Sequence, residues 1–129
     1  MAETPADRRR STRVPLNATA KLRILFPEET FRPSALDGTV EDISLAGVRV
    51  TVSGVNEDFH RLVIRAVRYA KVDLLLPGSE SEIELQGRIV WVGYDNKRRV
   101  PSCSFGIMFE KLPDEARDQI QQFVQSIKI

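Results

Sequence analysis

Thr39-Val40-Glu41-Asp42-Ile43-Ser44-Leu45-Ala46-Gly47-Val48-Arg49-Val50-Thr51-Val52 is the stretch on which the fold turns. Its two ends, Thr39 to Ile43 and Val48 to Val52, are rich in β-branched residues, which are stiff at χ1 and pack well on a pleated surface. Ser44 to Gly47 between them is short enough for a tight connection. The stretch therefore predicts two neighbouring antiparallel strands.

Upstream, Ala18, Ala20, Leu22, Ile24 and Phe26 alternate with Asn17, Thr19, Lys21, Arg23 and Leu25. Period 2 marks a half-buried strand, and Pro27 is expected to stop it. Downstream, Phe59, Leu62, Val63, Ala66 and Val67 recur at helical spacing and predict a short helix within about 56–69. Val72 to Leu76 reads as a short strand closed by Pro77-Gly78. Ile83, Leu85 and Ile89 to Val92 read as a longer one, and Gly87 inside it suggests a bulge or barrel bend. Tyr94 to Pro101 is a basic loop, and Ser104 to Phe109 a last strand.

At the C-terminal end, Pro113 suits the first helical position, and Asp114 and Glu115 suit the positive end of the helix dipole. Ala116, Ile120, Phe123, Val124 and Ile127 then repeat every three or four residues, an amphipathic helix with one buried stripe. Six strands at this spacing favour a sandwich or small barrel, and the terminal helix can plug one open end.

The chain has 129 residues, enough for one domain of ordinary size. Met1 to Pro15 has no hydrophobic period. Residues 1–7 read as a flexible tail and 8–129 as a single domain. Lys+Arg is 19 and Asp+Glu is 18, a net charge of +1, so an anion site must be a local concentration of charge rather than a uniformly basic surface. One cysteine excludes an intrachain disulfide and fits a reducing cytoplasm. One histidine excludes a metal site built on histidine pairs, and no metal is expected. No apolar run approaches the roughly 20 residues of a membrane span, and the N-terminus lacks the apolar core of a secretory signal.

No catalytic residues are expected. Cys103 and His60 are the only soft nucleophile and imidazole, with nothing to orient them, and a cysteine beside an apolar strand is usually a buried inert thiol. There is no P-loop and no dinucleotide fingerprint.

Two features carry chemistry. Arg8, Arg9, Arg10 and Arg13 cluster within six residues. They read as a solvated basic tail or as a shaped phosphate and guanine site, since the guanidinium fork bonds two acceptors and stacks on purines. Asp42 and Ser44 stand two apart, which would aim both from one side of a strand, and Gly47 would let backbone approach a bound group. The plainer reading is a strand ending in a turn stabilised by its own side chains. A carboxylate can accept from guanine's Watson–Crick N–H donors, which arginine cannot.

Together these features resemble the PilZ family. Arg9 to Arg13 fits its RxxxR motif and Asp42 to Gly47 its (D/N)xSxxG motif, with one strand and a loop between. Gly87-Arg88-Ile89-Val90-Trp91 and Phe105 to Phe109 are similar too, whereas 56–69 is longer and more charged than the usual connection. The resemblance implies an all-β, six-stranded antiparallel barrel with a C-terminal α-helix that binds cyclic di-GMP, a bacterial second messenger, and needs no cofactor. By it, Arg9 and Arg13 grip phosphate and a guanine edge, Asp42 and Ser44 contact the guanine and the phosphate–ribose ring, and Gly47 allows close approach. Trp91 is assigned to the barrel rather than the ligand. Arg8, just ahead of the motif, either suits a second purine or phosphate, which predicts two nucleotides per chain, or stands in solvent beside a single one.

The expected function is a cytoplasmic, non-enzymatic receptor whose ligand orders the N-terminal arginine segment for a protein effector, with no DNA partner. The alternative is a barrel that docks protein or nucleic acid without binding cyclic di-GMP. Asp42 discriminates them, because a polyanion binder has no use for a carboxylate in its site.

Overall fold

The computed structural model describes residues 13–25, 35–66 and 69–127. Six strands run β1 (Val14–Leu25), β2 (Leu36–Ile43), β3 (Gly47–Ser53), β4 (Tyr69–Leu74), β5 (Ile83–Asp95) and β6 (Ser102–Phe109). Helix α1 (Glu57–Ala66) separates β3 from β4, and α2 (Asp114–Ile127) follows β6. The strands close into an antiparallel barrel in the order β1-β2-β3-β6-β5-β4. Closure gives every strand a neighbour on each side, with short β4 pairing Ala20 to Leu25 of β1 and Ile83 to Arg88 of β5.

Alternation of side chains fills the interior. Val48, Val50 and Val52 of β3, Ala70, Val72 and Leu74 of β4, and Cys103, Phe105 and Ile107 of β6 all face inward and are buried. β1 carries the expected period with Ala20, Leu22 and Ile24 inside, but begins three residues earlier than the alternation suggested, because Val14 and Leu16 are buried as well. The pairing with β2 shifts register between Pro15 and Ala18, yet the inward period of β1 runs through it unbroken. Phe26 and Val67, and the tail 1–7 with Arg8 and Arg9, lie outside the described residues.

Two bulges set the outer wall. The β2–β3 register shifts between Val40 and Asp42. Val40 and Ile43 both stay buried, so Glu41 and Asp42 are two successive residues left on the outside. The β5–β6 register shifts between Ile89 and Trp91, and Val90 and Trp91 both emerge, 52% and 50% exposed. Gly87, the residue that suggested a bulge, serves instead to pass β6 closely: a Cβ there would stand 2.2 Å from the Met108 carbonyl oxygen.

The helix expected within 56–69 is α1. Asn56 caps it, its Oδ1 accepting from the Phe59 N–H at 2.9 Å, with Glu57 and Asp58 in the first turn and Arg65 in the last. Val63 is buried, and Phe59 meets Phe105 edge to face with ring centroids 6.4 Å apart. α1 bridges the end of β3 to the start of β4, so it closes one barrel mouth. α2 lies at the opposite one, after β6. Pro113 sits just before α2, and its carbonyl accepts from the Arg117 N–H at 2.8 Å. The buried stripe of α2 is Ala116, Ile120 and Val124. Phe123 is half-buried, and Ile127, expected in the stripe, is 47% exposed.

Candidate functional site

The β2–β3 connection is built by Ser44. Its Oγ accepts from the N–H groups of Ala46 at 3.0 Å and Gly47 at 3.2 Å, while the Ser44 N–H donates to the Gly47 carbonyl at 2.9 Å. Ser44 is 1% exposed. Its hydroxyl therefore holds the turn, and it lies inside rather than beside Asp42 on an outward face, because β2 ends at Ile43 and strand alternation no longer applies to the turn residue that follows. Ala46 in turn accepts from the Phe109 N–H at 2.8 Å, which ties the connection to β6.

Gly47 is also explained by packing. A Cβ at this position would stand 2.3 Å from the Ile107 carbonyl oxygen. Only glycine lets β3 start this close to β6.

The carboxylate of Asp42 is the centre of the outer wall. Its side chain is 17% exposed, and its two oxygens face different arginines. Arg13 Nη1 donates to Oδ1 at 3.0 Å, and Arg49 Nε stands 3.1 Å from Oδ2. Arg49 Nε is buried and makes no hydrogen bond, so that second contact is ionic. Arg49 Nη2 reaches Glu41 Oε1 at 3.3 Å. Glu41 accepts from Thr51 Oγ1, which shares a 2.9 Å hydrogen bond with Ser104 Oγ.

The register explains why these groups meet. Asp42 pairs with Arg49, Arg49 with Gly106, and Gly106 with Trp91. One row across β2, β3, β6 and β5 thus presents a carboxylate, a guanidinium, a gap and an indole. Gly106 is the gap, and the Trp91 ring leans over it: a Cβ on Gly106 would lie 3.3 Å from Trp91 Cβ. Trp91 also covers Gly93, whose Cβ would stand 2.9 Å from Cζ2. The indole therefore lies on the outer wall and not in the core. Beside this row a cleft of about 90 Å³ is lined by Arg13, Ala46, Gly47, Val90 and Met108 among others.

Of the six residues expected to form the site, the structure brings Arg13 and Asp42 into contact and places Ser44 and Gly47 in the adjoining turn. Arg8 and Arg9 lie outside the described residues. Arg49 escaped sequence reasoning. Its only sequence signal is a charged outward position two residues after Gly47, which any solvent-facing strand residue could share.

Cys103 is fully buried, and that burial pushes its thiol up to about 11. His60 stacks on Tyr94 with ring centroids 5.2 Å apart. No hydrogen bond joins Cys103 and His60 among the described residues. No group of three or more His, Cys, Asp or Glu side chains is placed to hold a metal among them either. No helix of the described residues is long and apolar enough to cross a membrane.

The fold and this wall define a small closed β-barrel domain with its charged site on the outside, at the bulged end of one hairpin. The chain belongs to the PilZ domain family, whose model matches residues 7–126. The PilZ domain of YcgR from Escherichia coli, solved with c-di-GMP, is similar with a TM-score of 0.62 and 13% identity, over 94% of this chain and 92% of that one. PlzA from Borreliella burgdorferi, solved in complex with c-di-GMP, gives a TM-score of 0.61 and 12% identity over 92% of this chain and 52% of that one. A longer YcgR chain from Escherichia coli, also in complex with c-di-GMP, gives 0.58 and 17% over 94% and 46%. The chain thus spans about half the length of PlzA and of the longer YcgR chain. At these identities the likeness is one of fold. No curated protein matches the chain.

Proposed function

We propose that this barrel is a non-enzymatic cytoplasmic receptor for cyclic di-GMP. The observation that carries the reading is the 3.0 Å contact between Arg13 and Asp42. It unites the last arginine of RxxxR with the acid of (D/N)xSxxG on one wall, although the motifs are separated by all of β1 and a loop. Membership of the PilZ family supports it, as do similar structures solved with this nucleotide.

In this reading Arg9 and Arg13 bind phosphate and a guanine edge, and Asp42 accepts from the guanine N1–H and N2–H donors. Ser44 and Gly47 shape the turn against which the phosphate–ribose ring rests. A cleft of about 90 Å³ is small beside the roughly 300–1,000 Å³ of ordinary ligand pockets, so the dinucleotide lies along the wall rather than within it. Binding draws the segment that carries Arg8 and Arg9 onto the barrel, and a protein effector reads the new surface. Such a switch works only if the ligand makes contacts in that state that it lacks in the other. The buried Cys103 thiol and the stacked His60 are structural groups in this scheme.

Calorimetric titration tests the reading. Saturable heat with cyclic di-GMP, much weaker with cyclic di-AMP, is the expected result. No heat with cyclic di-GMP, together with salt-sensitive binding of RNA, would instead indicate a docking module that reads polyanions.

A further inference from the structure

We infer that Arg49 is a positioning residue of this site: it holds the Asp42 carboxylate from the β3 side, so that Arg13 can leave Asp42 for a phosphate of the ligand. The inference rests on the cyclic di-GMP reading and adds a residue that belongs to neither motif.

Asp42 has one arginine on each oxygen, and the two are not equivalent. Arg13 stands one residue ahead of β1, its side chain 58% exposed, and holds Oδ1 by a single hydrogen bond. Arg49 stands inside β3, paired in register to β2 on one side and β6 on the other. Its guanidinium touches Asp42 Oδ2 through Nε and Glu41 Oε1 through Nη2. Glu41 is itself tied through Thr51 to Ser104. Arg49 is therefore braced by two successive bulge carboxylates of β2 and, beyond Glu41, by Thr51 of its own strand and Ser104 of β6. Arg13 is the exposed, singly held partner and Arg49 the braced one.

A phosphate competes with Asp42 for Arg13, and it competes well because the guanidinium fork binds phosphate with two parallel bonds. If Arg13 were the only cation on Asp42, its departure would strand a mostly buried carboxylate, which is strongly unfavourable. With Arg49 in place, Oδ2 keeps its partner while Oδ1 is released. The freed Oδ1 is then an acceptor for guanine N1–H or N2–H. Cyclic di-AMP brings the same phosphates but no such donors, so it gains nothing from the released oxygen. Arg49 thus acts on the choice of base as well as on the strength of binding.

The test is a double-mutant cycle, read by calorimetric titration with cyclic di-GMP and with cyclic di-AMP. Arg49→Gln should lower cyclic di-GMP affinity about tenfold or more, the effect expected for a lost charged partner, and should lower cyclic di-AMP affinity less. The loss should vanish when Asp42→Ala is already present. Arg49→Lys, which keeps the charge but not the two-sided reach, should fall between. Thermal melts of the variants guard against simple unfolding, and Arg49→Lys carries the test if Arg49→Gln melts early. Equal losses for both nucleotides, in both backgrounds, would reduce Arg49 to general attraction of anions and overturn the inference. So would unchanged affinity in Arg49→Gln. A parent protein that binds no cyclic di-GMP would take the receptor reading down as well. A parent that binds, with an Arg49 effect indifferent to Asp42, would remove only the role of Arg49.

Discussion

Arg13 and Asp42, 29 residues apart in the chain, meet with Nη1 and Oδ1 3.0 Å apart on the outer wall. β1 pairs with β2 directly beside this contact, Val14 opposite Ile43 and Pro15 opposite Asp42. The pairing brings the end of one motif against the start of the other. The contact is therefore a product of strand register, and it places an arginine that can bind phosphate against a carboxylate that can bind guanine.

Removing either partner should separate those two roles. Arg13→Ala should weaken cyclic di-GMP and cyclic di-AMP together, by about tenfold or more, because both carry phosphates. Asp42→Ala should weaken cyclic di-GMP more than cyclic di-AMP, since adenine lacks the N1–H and N2 donors. Paired titrations of each variant decide the matter, and equal losses for both nucleotides in Asp42→Ala would contradict the guanine role.

Gly47→Ala is expected to harm folding first and binding second. The added methyl would meet the Ile107 carbonyl oxygen at 2.3 Å, a backbone atom that cannot rotate away. Overpacking of this kind destabilises by about 1–3 kcal/mol. A thermal melt should show the loss without any ligand present. A parent-like melt with weakened binding would mean that the glycine serves the ligand instead.

The two ends of the α2 stripe should respond differently. Ile120 is fully buried, so Ile120→Ala should destabilise by about 2–5 kcal/mol. Ile127 is 47% exposed, and Ile127→Ala should stay within about 0.5 kcal/mol of the parent. Chemical denaturation of both variants measures the difference directly. Similar losses at the two positions would show that the end of α2 is packed more tightly than its exposure indicates.

Cys103 gives the fold a sensitivity to alkali. Burial raises its thiol from 9.0 to about 11, so between those values the folded state holds a proton that the unfolded state releases. Stability from this group is intact below about pH 9 and is lost as pH rises towards 11, by an amount on the order of 2 kcal/mol. Denaturation midpoints measured from pH 8 to 11 should fall more steeply for the parent than for Cys103→Ala. Parallel curves would show that the thiol does not contribute.

Arg8 bears on stoichiometry. Its place just ahead of RxxxR suits a second purine or phosphate, and cyclic di-GMP readily forms stacked pairs. Titration at ligand concentrations well above the dissociation constant should saturate near two nucleotides per chain and fall to one in Arg8→Leu. Saturation at one in both proteins would leave Arg8 without a role.

Much of the barrel could be read from local pattern. Period 2 in β1 and the β-branched runs of β2 and β3 reflect which residues one face of a strand can bury, and a strand buries the same face whatever its partner. The three- and four-residue spacing of α2 is local in the same sense, although its last member, Ile127, is 47% exposed, since spacing alone does not say which turns of a helix find a neighbour. The two motifs were legible because they are contiguous in the chain.

The wall was not legible, because bulges and register belong to pairs of strands. Nothing in Val40-Glu41-Asp42 announces that one residue is extra. That is settled when Val40 and Ile43 must both be buried against β3, and it turns Glu41 and Asp42 outward together. The same accommodation in β5 exposes Val90 with Trp91. Arg49 then acquires its place only from standing opposite Asp42 of β2, and Gly47 its necessity only from the approach of Ile107. Sequence by itself determined which residues carry charge, which prefer strands and where the two motifs stand. Tertiary structure alone decided which side chains share a face and which glycine has a neighbour against it, because those depend on contacts between residues far apart in the chain.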